Sequence, residues 1–342
     1  MKQAVFIIQG EGKGHFSQAL TMLEQLERTG IHVAAVYLGR HITRSSPDYF
    51  SDSFPVPVRT FYSPNLLFRS DRRGIRAGTS ILFHVLLSPL YLAEAFRIWR
   101  SIRQLNACSL YNFYDTVGAV VCRFAKRRQE TVVVGHHFYF AHRDFTFPRG
   151  FPFQRRMLGF LNRVMLQGCH RALALSFRPA SEEGRIKVVP PLVHPVIRNM
   201  TWSPGNRDLC YFLTPGYARD YLSYARETGA EADIFVSGGV DSVLPDGVAV
   251  HEPTVQGFRE KMKHCRRLVT TGGFDTVAEA FYLGIPVYMI PARGHYEQRC
   301  NAADAERTGM AVWIERLGDL DQAAEPGGDH LSYRRWVDNE DS

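Results

Sequence analysis

The stretch from Leu268 to Asn301, LVTTGGFDTVAEAFYLGIPVYMIPARGHYEQRCN, constrains the fold of this chain most. A short β-type run from Arg267 to Thr270 breaks at Gly272-Gly273. Apolar residues then recur at helical spacing through Phe274, Val277, Ala278, Phe281 and Tyr282. Gly284 closes that helix, Pro286 blocks its extension, and a second buried-type strand, Val287 to Ile290, begins at once. Strand, glycine turn, helix and strand make a parallel βαβ unit. The glycine pair stands where the strand meets a helix N-terminus, whose free N–H groups and dipole attract an anion. Glycine lets the backbone come close to that anion with no Cβ in the way. Glu279 lies about one and a half turns further along, beyond the same anion but within reach of a neutral hydroxyl beside it.

Strands and helices alternate through the rest of the chain, which predicts an α/β protein with two parallel-sheet domains facing across a cleft. At 342 residues the chain is long enough for both. The expected limits are residues 1–190 and 191–330, joined at Pro190-Pro191, with a terminal helix and tail at 331–342 that packs back on the first domain. The net charge of +7 conceals an asymmetry. Residues 1–190 carry 26 Lys/Arg against 12 Asp/Glu, whereas residues 191–342 carry 15 against 22. A basic half suits an anionic membrane surface or a phosphorylated acceptor. Nucleic acid finds no recognition motif, so none is expected as a partner. The six cysteines form no CxxC pair and read as buried free thiols. The N-terminus runs straight into a strand with no signal-peptide pattern, and a cytoplasmic location, peripheral on the inner face of a membrane if the basic half touches it, is the expectation.

The Leu268–Asn301 stretch resembles the donor-binding motif of B-type glycosyltransferases that use nucleotide sugars. The matching residues are Thr271-Gly272-Gly273, Glu279, Gly284-Ile285-Pro286, Glu297-Gln298 and Asn301-Ala302. The resemblance implies that Gly272 and Gly273 face a diphosphate, that Glu279 holds ribose hydroxyls, and that Glu297 and Gln298 read the transferred sugar. It also places Gly216, in the turn after the strand at Leu209 to Leu213, near the donor phosphates. Glu297 stands where Asp is more frequent in the family, which moves the carboxylate relative to the sugar.

Near the N-terminus, a strand at Val5 to Ile8 leads into Gly10-Glu11-Gly12-Lys13-Gly14-His15 and an amphipathic helix. Alone, this glycine pattern is a weak dinucleotide signal, and no acidic residue ends the next strand at Val33 to Leu38. Within the resemblance the loop lines the acceptor site through Gly12 and Gly14, as in the bacterial lipid-linked N-acetylglucosaminyltransferases of peptidoglycan synthesis. His15 is the candidate general base, since an unperturbed imidazole titrates near neutrality; capping the helix is the alternative. Asp115, after the strand that ends at Phe113, is a second candidate, or the N-cap of the helix starting at Thr116. His136 and His137 end another strand and are expected at the acceptor. Adjacent residues on a strand point to opposite faces, so a metal held by both is not expected.

The resemblance implies attack by an acceptor hydroxyl on the anomeric carbon of a nucleotide sugar, with UDP the favoured nucleotide, inversion, and no metal or other cofactor. The acceptor is a glycan, a lipid-linked sugar or a small molecule. Two rivals stand beside it: a nucleotide-sugar 2-epimerase, and a non-catalytic nucleotide-sugar-binding subunit of a membrane transferase complex.

Overall fold

The computed structural model describes residues 2–10, 14–42, 54–64, 84–105 and 108–339. Gly12 lies outside these residues, as do the short helix that the sequence predicts at Arg44 to Phe50 and the arginines of the following basic loop, Arg69, Arg72, Arg73 and Arg76.

Two parallel sheets organise the chain. The first contains β1 (Lys2–Ile8), β2 (Ile31–Arg40), β3 (Val58–Tyr62), β4 (Ser109–Phe113), β5 (Glu130–Val134), β6 (Arg171–Leu175) and β7 (Ile186–Val189), in the order β3-β2-β1-β4-β5-β6-β7. The second contains β8 (Arg207–Tyr211), β9 (Ala232–Phe235), β10 (Val248–His251), β11 (Cys265–Thr270), β12 (Val287–Met289) and β13 (Ala311–Trp313), in the order β10-β9-β8-β11-β12-β13. Every ladder between these strands is parallel. Parallel strands covered on both faces read as continuous apolar runs, and Ala4 to Ile8 is fully buried along its length.

The crossovers include α1 (Gly14–Arg28), α2 (Ser88–Ile102), α3 (Thr116–Ala125), α4 (Pro152–Gln167), α5 (Pro195–Arg198), α6 (Pro215–Thr228), α7 (Val255–Met262), α8 (Phe274–Leu283), α9 (Tyr296–Glu306) and α10 (His330–Asn339). In α1, Ala19, Leu23 and Leu26 share the buried face. Pro89 falls in the first turn of α2, where its missing N–H costs nothing, so this proline starts the helix. Gly284 ends α8 in the left-handed conformation at φ 84°, as its position after the apolar stripe predicts. The terminal helix α10 makes its hydrogen bonds with α8: Tyr333 donates to the Ala278 carbonyl at 3.4 Å and Tyr282 to Asp338 at 2.9 Å.

In both sheets the strand order reverses beside the first strand, between β1 and β4 and between β8 and β11. Ligands of open α/β sheets bind outside the carboxyl ends of the strands at such points. The turns that leave those four strands carry His15, Asp115, Thr214 and Gly272-Gly273. The two halves touch directly there, with Phe177 stacked on Phe274 at 4.5 Å between ring centroids and Arg178 paired with Asp304 at 3.4 Å. The six cysteines are free, five of them buried and Cys108 exposed. Among the described residues no helix is long and apolar enough to cross a membrane.

Candidate functional site

The turn between β11 and α8 is built by local hydrogen bonds. Thr271 Oγ1 accepts the Leu213 N–H at 3.2 Å, which ties this turn to the one after β8. Asn301 Nδ2 donates to the Gly272 carbonyl at 3.0 Å. Gly272 has φ 97°, and a Cβ there would press on Met289 Cε at 3.0 Å and the Gln298 carbonyl at 3.4 Å, so only glycine fits. Gly273 is the N-cap of α8 without a side-chain cap, and a Cβ on it would meet nothing within 4 Å. Open space therefore lies beside Gly273 at the start of α8, where backbone N–H groups attract an anion, while the Asp275 carboxylate in the same turn takes its own N–H and faces α1. Gly216 lies in the first turn of α6, just beyond the N-cap Thr214. The Thr214 hydroxyl is buried with no hydrogen-bond partner among the described residues, a second unsatisfied group at the same end of the sheet.

Glu279 projects from α8 toward Arg259 of α7, 3.8 Å away. Burial pushes its carboxyl up to about 7, with Arg259 acting in the opposite direction. Gln298 uses its Oε1 to accept the Ala292 N–H at 2.9 Å, which closes the loop after β12 and leaves only its amide NH2 for a ligand.

Glu297 meets the other half of the molecule. His136 Nε2 lies 3.1 Å from its Oε1 and His137 Nε2 lies 3.1 Å from its Oε2. The expectation that these histidines point apart is corrected here. β5 stops at Val134, Gly135 (φ 155°) redirects the backbone, and His136–Ala141 form a 3-10 turn in which both rings converge on one carboxylate. The three candidate ligand atoms lie within 4.8 Å of one another, close enough for a metal ion. Nδ1 of both histidines, however, is buried without a partner among the described residues. A metal-bound imidazole, like an imidazolium, carries a proton on Nδ1 that needs an acceptor. The donor set therefore fits two neutral rings donating Nε2–H to an ionised Glu297. The shifts agree. Burial lowers both histidines, and although burial works to raise Glu297, the His137 and His136 N–H groups bring it well below the usual carboxylate range.

His15 stands at the start of α1, with its ring 5.7 Å from that of His137 and 5.9 Å from that of Tyr114. Tyr114 adopts a left-handed φ of 54° and stacks on His137 at 3.7 Å; His136 in turn stacks on Phe274 at 4.7 Å. These rings bridge the two halves. Burial and the neighbouring His136 lower the His15 pKa to about 4, against Glu297 and Gln18, which raise it. The ring is therefore neutral at pH 7. His15 Nδ1 lies 3.4 Å from Gln18 Oε1, and Gln18 Nε2 donates to Asp275 Oδ1 at 2.8 Å across the cleft. A Cβ on Gly14 would collide with Asp275 Oδ2, so glycine there lets α1 and α8 meet end to end.

Asp115 has the capping role. It is fully buried, accepts the Gly118 N–H at 2.8 Å and takes a hydrogen bond from Ser63 Oγ, and burial raises its carboxyl to about 6. The sequence reading passed over Asp275, Gln18 and Tyr114. Only Asp275 left a signal, as the acidic residue in the first turn after the glycine pair. An Asp-x-Asp sequence, a common metal-binding pattern in sugar transfer, is present at Asp319–Asp321 but engaged elsewhere: Asp321 pairs with Arg267 at 3.1 Å and Asp319 caps its own turn.

No curated protein matches the sequence. Among solved structures, LpCGTa in complex with UDP is similar, with a TM-score of 0.63 and 14% identity over 100% of this chain and 90% of that one. UGT2 of Phytolacca americana, complexed with UDP-2fluoro-glucose and pterostilbene, has a TM-score of 0.63 and 12% identity over 100% and 94%. MurG of Acinetobacter baumannii has a TM-score of 0.59 and 14% identity over 100% and 91%. These likenesses show the fold, the two facing α/β units of B-type glycosyltransferases. The family model for glycosyl transferase family 1 matches residues 114–325, well over half of the chain, and the protein belongs to that family.

Proposed function

We propose that this protein transfers a sugar from a nucleoside-diphosphate sugar to an acceptor hydroxyl, with inversion at the anomeric carbon and without a metal. The carrying observation is the open N-terminus of α8 at Gly273, set at the switch point of the second sheet opposite a neutral His15. UDP is favoured, since two similar structures hold UDP or a UDP sugar. In this reading Gly216, Gly272 and Gly273 approach the diphosphate, Glu279 takes the ribose hydroxyls in place of Arg259, and Glu297 with the Gln298 amide holds the sugar. His136 and His137 keep Glu297 ionised and oriented.

His15 Nε2 accepts the proton of the acceptor hydroxyl while that oxygen bonds to the anomeric carbon. The bond from that carbon to the phosphate oxygen breaks, and its electron pair leaves with the nucleoside diphosphate. N–H groups at the starts of α6 and α8 stabilise the growing charge. Because His15 titrates near 4, the acid limb of kcat/KM for nucleotide release is expected near pH 4, not near the 6.5 of a free imidazole. Glu279, raised to about 7, is the other group that titrates there, so an acid limb near 6.5 that persists in Glu279→Gln would oppose His15 as the base.

The acceptor side is read from α4. A groove of about 610 Å³ is lined by Phe140, Phe147, Arg155, Arg156, Phe160 and Arg163. Phe140 also packs edge-on against His136, which joins this groove to the site. Its chemistry suits an acceptor with an anionic group on an apolar body. Exposed Leu92 and Phe96 on α2 and Phe153 and Phe160 on α4, set among arginines, suit an anionic membrane surface as a partner.

A further inference from the structure

We propose that Gln18 and Asp275 are positioning residues for His15, so that the base is oriented only when the donor helix α8 closes on α1. The inference rests on the role proposed for His15 and follows from hydrogen-bond valence. Gln18 Nε2 donates to Asp275 Oδ1 at 2.8 Å; the proposal takes Asp275 as ionised, with burial raising its carboxyl and the Gln18 hydrogen bond and His136 lowering it. The Gln18 carbonyl oxygen then faces His15 Nδ1 at 3.4 Å, and an amide oxygen also only accepts. In this arrangement His15 Nδ1 carries the ring proton. In a neutral ring this leaves a lone pair on Nε2 to take the acceptor proton. Gln18 is fully buried, so its amide has no water to satisfy it in another orientation.

The arrangement joins the two halves at one place. Asp275 belongs to the first turn of α8, next to the turn proposed to bind the diphosphate, while His15 and Gln18 belong to α1. Opening the cleft would remove the carboxylate, free the Gln18 amide to turn over, and let the imidazole shift its proton to Nε2, where it cannot act as a base. Donor binding and base orientation share one interface. Among the described residues, the charged and titratable groups around His15 are His136 and His137 from the 3-10 turn, Tyr114 after β4, Glu297 of α9 and Asp275 of α8.

Nitrogen-detected NMR of the full chain with labelled histidine reads the tautomer directly, with His15→Asn identifying the signal. The proposal expects the Nδ1–H form in the parent and a mixture of forms in Gln18→Leu and in Asp275→Val. Release of UDP from UDP-glucose and UDP-N-acetylglucosamine supplies the kinetic arm. Gln18→Leu is expected to lower kcat by about tenfold or more, with KM for the donor little changed. An Nε2–H tautomer in the parent would overturn the proposal. So would an unchanged tautomer in both Gln18→Leu and Asp275→Val, or a changed tautomer with unchanged kcat. If no variant or parent releases UDP, the transferase reading fails, while the tautomer still decides the geometry.

Discussion

Gly273→Asp is expected to fold as well as the parent and to lose its nucleotide. The two halves of this result come from separate features of one residue. Gly273 is the N-cap of α8, with extended φ and ψ of −66° and 129° and no side-chain cap. Aspartate is among the preferred residues at such a position, so thermal stability should hold or rise by a few tenths of a kcal/mol. A Cβ meets nothing within 4 Å, so the substitution strains nothing. The new carboxylate, however, occupies the free N–H groups and places a negative charge where a diphosphate would sit. Like charges in contact cost several kcal/mol, which corresponds to on the order of a hundredfold or more in Kd. Calorimetric titration beside a melting curve checks both halves. A stable Gly273→Asp protein that binds nucleotide as the parent does would remove the phosphate from this turn. Gly272 differs: at φ 97° and crowded by Met289, its substitution should lower stability, so loss of binding there would not discriminate.

His15→Asn is expected to lower kcat by about 10²–10⁴ with the nucleotide Kd unchanged, the range measured for loss of a general base. Asp115→Asn should do the reverse. Asparagine caps a helix about as well as aspartate, but the Ser63 and Gly118 hydrogen bonds to a buried carboxylate are weakened, so stability falls by about 1–3 kcal/mol while kcat stays near the parent's. Steady-state kinetics and denaturant unfolding of the two variants separate the roles. An inactive Asp115→Asn protein beside an active His15→Asn one would exchange them.

What the sequence made legible was local. Gly272-Gly273, Gly284 and Pro286 punctuate a βαβ unit within twenty residues, and the structure has strand, turn, helix and strand where they indicate. The capping alternative at Asp115 was readable because a cap acts three residues away. Three features escaped for physical reasons. Alternation of faces was applied to His136 and His137 as strand residues, but β5 ends at Val134 and a 3-10 turn follows. α9, Tyr296–Glu306, is buried on several sides and so lacks the single apolar stripe that marks a surface helix. Gln18 and Asp275 lie 257 positions apart, and the pairing of Glu297 with His136 spans 161. No local pattern carries such contacts, since they arise only when the two sheets face each other.

The measurement closest to the central claim is calorimetric titration of the unaltered protein with a panel of nucleoside diphosphates. The account predicts that one member, UDP first among them, binds in the micromolar range and competes with its own sugar conjugate. A folded protein that binds none of them would leave the glycine turn at Gly272-Gly273 as architecture without a nucleotide, and would contradict the proposed donor site.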